Sequence, residues 1–186
     1  MLRISVTMLG AALTILPAHA RAQAPSPSHA VSALAGVGRT WDDEGSLGTG
    51  VALGGRFERR LFGNTRIEAG VDRLTHDRDS GFFQASGRTT FVSAVVVQRF
   101  GHRAVKPYVL GGLTLARHTG EVTFGDSRPQ PRRSLDHGLT FGGGLAVLVG
   151  GSVEIGPDVR LFSLAPDDDI DPALAWLAGV RVGYRF

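Results

Sequence analysis

Histidines, hydroxyls and acidic side chains are the residue types through which this chain could run a hydrolysis. His76, Asp77 and Ser80 fall within one polar stretch, while His118 and His137 bracket another. A histidine beside a hydroxyl, oriented by a carboxylate, is the arrangement that acyl transfer uses. Two further clusters suit other chemistry. Asp167, Asp168, Asp169 and Asp171 offer hard oxygens to a divalent cation. Arg128, Arg132 and Arg133 offer guanidinium forks to phosphates. The acidic run lacks the spacing and the glycine of a calcium loop, and Gly142-Gly143-Gly144 lies inside a strand pattern instead of forming a phosphate cradle. The expectation is therefore no catalytic, cofactor or metal site, with these clusters as solvated loop ends.

The elements that would position such residues are strands. Leu174, Trp176, Ala178, Val180, Val182, Tyr184 and Phe186 alternate with Gly179, Arg181, Gly183 and Arg185, a period of two with opposite chemistry on its two faces. The same alternation sets Val51, Leu53 and Phe57 against Arg56, Glu58 and Arg60, and Val153, Ile155, Val159 and Leu161 against Glu154, Asp158 and Arg160. Eight strands are predicted over 30–41, 49–60, 64–75, 88–100, 107–117, 137–149, 152–164 and 174–186. Each is long enough to cross a bilayer when tilted. Short connections follow the second, fourth and sixth, and longer polar ones follow the odd-numbered strands. A three-residue loop at Leu61-Phe62-Gly63 would place Glu58 opposite Arg66 and Arg56 opposite Glu68. Pairing Leu164 with Ala175 would place Asp158 opposite Arg181 and Glu154 opposite Arg185. In the strands over 88–100 and 107–117 both faces are fairly apolar, leaving their facing open and room for a small apolar cavity; Tyr108 falls where an interfacial aromatic would lie.

Length and composition bound the rest. Residues 1–24 carry Arg3, the apolar run Ile4 to Leu16, and small residues at Ala18, Ala20, Ala22 and Ala24. That is the pattern of a secretory signal peptide, with cleavage expected after residue 20 or 22. Residues 25–29 form a short tether and 30–186 one domain. Removing 1–24 leaves 18 basic against 17 acidic residues, and all the basic residues but Lys106 are arginine, so the high pI does not mark a basic surface or a nucleic-acid partner. Cysteine is absent, so no disulfide framework holds an exported chain together.

The strand ending on Phe186 resembles the closing strand of small bacterial outer-membrane β-barrels, and the resemblance extends across the domain. It implies an all-β, eight-stranded antiparallel up-and-down transmembrane barrel with short periplasmic turns and longer extracellular loops. It also implies localisation in the outer membrane, insertion by the barrel-assembly machinery through the last strand, contact with outer-membrane lipid or lipopolysaccharide, and a monomer. Arg56, Glu58, Arg66, Glu68, Asp72, Glu154, Asp158, Arg160, Arg181 and Arg185 would then face inward as ion pairs. Trp176, Val180, Val182, Tyr184 and Phe186 would face the membrane and carry the assembly signal. Glycine on the polar face suits the narrow lumen of eight strands, which leaves no open channel. The function expected is non-enzymatic: structural, adhesive or surface-interacting. Two alternatives stand beside it. One is a soluble exported barrel with the Leu/Val face as its core and a small apolar ligand. The other is a lipid A-modifying enzyme, although the His-x-Ser signature typical of the deacylases is absent.

Overall fold

A computed structural model describes residues 28–42, 45–79, 83–101, 104–124, 130–165 and 173–186. The expected signal peptide, most of the expected tether and the acidic cluster at 167–171 lie outside them. Eight strands run β1 (His29–Asp42), β2 (Gly45–Phe62), β3 (Thr65–Asp79), β4 (Phe83–Arg99), β5 (Val105–Phe124), β6 (Gln130–Val149), β7 (Val153–Ala165) and β8 (Ala173–Arg185). Each pairs antiparallel with its sequence neighbours, and β1 pairs with β8, closing the barrel. Closure removes the open sheet edges along the band where all eight strands pair, so the described residues, without cysteine, can satisfy their backbone there through the ladder alone. The last residue is tied in as well: the amide of Phe186 donates to the His29 carbonyl and His29 returns the bond, both at 3.0 Å.

The outward positions of the mid-strand band are apolar and exposed, among them Val51, Leu53, Val71, Val92, Leu113, Phe141, Val159, Leu161, Val180 and Val182. The charged face is inside. A water-soluble barrel needs the reverse, and the Leu/Val face is not the core.

Three features depart from the sequence expectation. The β2–β3 hairpin turns at Gly63-Asn64, with Gly63 at φ +49° and a bulge between Arg60 and Phe62. Its register slides by two residues, so Glu58 faces Glu68 and Arg56 faces Gly70. In β7–β8 Leu164 meets Ala173, and the slide again is two: Asp158 faces Gly179 and Arg181 faces Gly156. A slip of two keeps every side chain on its face. The third departure is length, because β5 and β6 continue through much of the expected loop over 118–136, with Glu121 opposite Pro131. Above His137, which pairs with the last residue of β7, β6 has β5 as its only neighbour among the described residues. Proline is tolerated on such an edge because the missing N–H faces no partner. At the other end the β6–β7 turn uses Gly150 and Gly151, at φ +61° and +86°, a backbone that other residues rarely adopt.

The facing of β4 and β5 is resolved by their buried side chains. Val95, Val97, Tyr108 and Leu110 point inward and pack with Ala146, occupying the space where a small apolar cavity was considered. Tyr108 is thus a lumen residue and not an interfacial aromatic. It shares the inward parity of Leu110, Thr114 and Ala116, and its hydroxyl finds a carboxylate there.

Candidate functional site

The lower lumen is filled by arginines and carboxylates from five strands, with a tyrosine from a sixth. Arg160 on β7 reaches across to β3, donating from Nη2 to Glu68 Oε1 at 2.7 Å, and from Nε to Asp158 Oδ1 at 3.0 Å. Arg56 donates to Asp72 at 2.8 Å. Arg181 donates to Glu68 Oε2 at 3.1 Å and also lies against Glu58. Arg99 spans Glu154 at 2.5 Å and Glu58 at 2.9 Å, and Arg185 stands 3.3 Å from Glu154. Tyr108 Oη donates to Asp158 Oδ2 at 2.7 Å, with the Arg181 guanidinium 5.6 Å over its ring. Of the four pairs anticipated across the hairpins, Glu154–Arg185 closes to 3.3 Å, while the other three exist only as longer diagonal contacts, Arg66–Glu58 at 3.8 Å, Arg56–Glu68 at 3.7 Å and Arg181–Asp158 at 3.9 Å.

Glycine is what lies opposite the large charged side chains. Gly54 faces Asp72, Gly70 faces Arg56, Gly142 faces Arg160, and Gly179 and Gly144 flank Asp158 on either side. A Cβ on Gly70 would stand 3.0 Å from Arg56 Cγ, and one on Gly144 would stand 2.6 Å from the Tyr108 hydroxyl. Small-beside-large packing sets the register, and the charges then bridge strands that are not neighbours. This explains how Glu58 and Glu68 can face each other: Arg181, from β8, sits on both. Buried like charges would otherwise be costly. Arg99 and Tyr108 also belong to this network, although the sequence pattern does not single out Arg99 and places Tyr108 at the interface; their only signal is a parity shared with apolar neighbours.

Above the charges lies an apolar layer in which Phe91 and Phe162 stack at 4.1 Å between ring centroids, surrounded by Leu74, Leu164 and Leu177. Above that, the mouth is polar. His118 Nε2 lies 2.9 Å from Asp136 Oδ2, and His118 Nδ1 lies 3.0 Å from Thr89 Oγ1. A hydroxyl, an imidazole and a carboxylate in a row is a nucleophile–base–orienter order, but the Thr89 side chain is buried with no exposed surface. Among the described residues, the three histidines of the hydrolytic set stand apart. His137 is exposed on the outer face while His118 faces inward, His76 is buried, and the Asp77 side chain and Ser80 are outside the described residues. Arg132 and Arg133 fall in β6 instead of a loop, and Arg128 lies outside the described residues. Among the described residues no group of three potential metal ligands comes together.

On the outer face of β8, Val180, Val182, Tyr184 and Phe186 are exposed, and Trp176 is half-buried. Tyr184 and Phe186 stack at 6.4 Å, and His29 stacks on Phe186 and on Phe57 at 5.8 Å each, making a continuous aromatic strip at the terminal end of the barrel.

No protein-family model and no curated protein sequence matches the chain. Solved structures do. Neisserial surface protein A superposes with a TM-score of 0.66 at 15% identity, over 88% of this chain and all of that one. Ail, the attachment invasion locus protein of Yersinia pestis, gives 0.62 at 14% identity, over 87% of this chain and all of that one. A major outer membrane protein of Thermus thermophilus gives 0.60 at 17% identity, over 87% and 100% of the two chains. With its eight antiparallel strands closed through β1 and β8, the chain has the fold of the small eight-stranded outer-membrane β-barrels.

Proposed function

We propose that the protein is a monomeric, non-enzymatic integral barrel of the outer membrane, closed to solutes, whose work is done by its lipid-facing surface and its extracellular loops. The observation that carries this reading is the inversion of its two faces. A belt of exposed Val, Leu, Ile and Phe encircles the wall, far more apolar surface than a water-soluble monomer leaves uncovered. The lumen beneath the Phe91–Phe162 layer is occupied by interlocked arginines and carboxylates, which supports a barrel plugged to solutes. The aromatic strip ending on Phe186 supports a role for β8 in insertion by the barrel-assembly machinery. Similarity to surface and attachment proteins supports an adhesive or envelope-stabilising role.

The test is conductance. Purified protein in planar bilayers is expected to show no steady ion current; stable unitary currents would replace this reading with a channel. The Thr89–His118–Asp136 row supports a second reading, acyl-ester chemistry on lipid A at the mouth. Mass spectra of lipid A from expressing cells are expected to be unchanged. Loss of an acyl chain that His118→Ala abolishes would establish the enzyme instead.

A further inference from the structure

The outer face is not apolar all the way to the loops, and where it stops being so it is lopsided. On β3 the outward run Ile67, Ala69, Val71 is followed by Arg73 and Thr75. On β4, moving the same way, Val96, Ala94 and Val92 give way to Thr90 and Arg88. On β5, Val109, Leu113 and Leu115 give way to Arg117 and Thr119. At the corresponding border β6, β7 and β8 carry Leu135, Leu161, Leu174 and Trp176 instead. On β1 and β2 the outward positions at this border are Arg39 and Thr49, paired with each other, so the change from hydrocarbon-facing to headgroup-facing chemistry is made by arginine and threonine on β1–β5, with three arginines gathered on β3–β5, and not on β6–β8.

Register brings these residues together. Arg73 pairs with Thr90, and Thr90 pairs with Arg117, so the three form one row across β3, β4 and β5. Arg88 stands on the middle strand two positions nearer the loops, between Thr75 and Thr119. With strands about 4.8 Å apart and about 3.4 Å per residue, the three arginine Cα atoms make a triangle with sides of about 8–10 Å centred on Thr90. Long guanidinium side chains from its corners can meet on one phosphate, with threonine hydroxyls as further donors. Arg73, Arg88 and Arg117 are exposed, and none takes part in the ion pairs found among the described residues.

We infer that the outer surface of β3–β5, through Arg73, Arg88 and Arg117 around Thr90, binds the phosphate of a phosphorylated glycolipid in the outer leaflet, with the apolar residues below them seating its acyl chains. The arrangement has both parts such an amphiphile needs, a trivalent cationic clamp immediately above an uninterrupted apolar surface. It is distinct from the lumen network and uses no loop. The inference rests on the barrel spanning the outer membrane.

The experiment refolds the mature chain in phosphatidylcholine vesicles doped with bisphosphorylated lipid A, or with the same lipid enzymatically dephosphorylated, and measures the lipid retained on the extracted barrel by native mass spectrometry. Wild-type protein is expected to retain the phosphorylated lipid at least about tenfold over the dephosphorylated one, since several charge-assisted hydrogen bonds are at stake. The triple substitution R73Q/R88Q/R117Q is expected to abolish the preference, and R59Q, at the opposite end of the outer face, to leave it intact. Inorganic phosphate alone is expected not to displace the lipid; displacement would identify a free-anion site and overturn the assignment. Equal retention of the two lipids by wild-type protein overturns it without recourse to any variant. A chain that fails to form a barrel in plain phosphatidylcholine removes the membrane reading itself, whereas a well-formed barrel with no lipid preference removes only this inference.

Discussion

Replacing Arg160 with methionine keeps much of the length of the side chain and deletes the cation at the centre of the lumen. Arg160 is fully buried and donates to Glu68 at 2.7 Å and to the two oxygens of Asp158 at 3.0 and 3.3 Å. Removing one partner from a buried charge pair costs about 3–5 kcal/mol, because the other charge is left without compensation. Here that loss is softened. Arg181 remains 3.1 Å from Glu68, and Arg56 remains 3.7 Å from Glu68 and 3.8 Å from Asp158. The expected cost is therefore near the lower bound, about 3 kcal/mol. Glu68→Gln should have a similar effect, and the double variant should cost less than the two singles together by about 1.5–3 kcal/mol, the coupling of groups in direct contact. Asp158 and Arg181, at 3.9 Å with no hydrogen bond between them, should couple more weakly, at the low end of the range for one network, about 0.5–1 kcal/mol. Urea titration of barrels refolded in lipid vesicles, followed by gel mobility and tryptophan fluorescence, measures all of these. An Arg160→Met barrel within about 1 kcal/mol of wild type, or additive costs at Arg160 and Glu68, would refute the view that cross-barrel ion pairs hold the lumen.

Other changes probe the remaining layers. Val182→Arg places a cation on the lipid-facing side and should destabilise the barrel by about 2–4 kcal/mol in the same titration if that residue lies near mid-membrane; no change would mean that the face is wet. Phe91→Ala removes half of the buried aromatic stack and should cost about 3–5 kcal/mol. Gly144→Val would push a branched side chain into the Tyr108 hydroxyl and the β7 backbone, so it should reduce folded yield more than Gly55→Val, where the outer face is open. Phe186→Ser should slow assembly in cells, read as accumulation of unfolded protein in the periplasm; wild-type yield would remove the role given to the last strand.

How much of this was legible in the sequence differs from strand to strand. In β2, β7 and β8 charged and apolar residues alternate over long runs, so which face turned inward followed once a closed barrel was assumed. Facing in β4 was hidden because Val95, Val96 and Val97 look alike, although the first and third are buried and the second is exposed. Register was misjudged for a physical reason. Opposite charges on adjacent strands suggested direct pairs, but in so narrow a lumen glycine stands opposite several of the large charged side chains, and some of the carboxylates come from across the barrel. The partner sets Arg160–Glu68 and Arg99–Glu58 join residues on non-neighbouring strands, which no local pattern encodes. The length of β5 and β6 was obscured by Pro131, which reads as a breaker until one sees that its strand is an edge at that height. Arg73, Arg88 and Arg117 did leave a trace, as breaks in an otherwise apolar outward parity, but their adjacency needs the registers of β3, β4 and β5 together.

The most direct measurement is fractionation of expressing cells followed by gel electrophoresis of the unboiled and boiled protein. A closed barrel with an apolar wall is expected in the outer-membrane fraction, migrating at a different apparent mass before boiling than after. Recovery in the soluble periplasmic fraction, with mobility unaffected by heat, would contradict it, because a wall of exposed Val, Leu and Phe could not then be facing lipid.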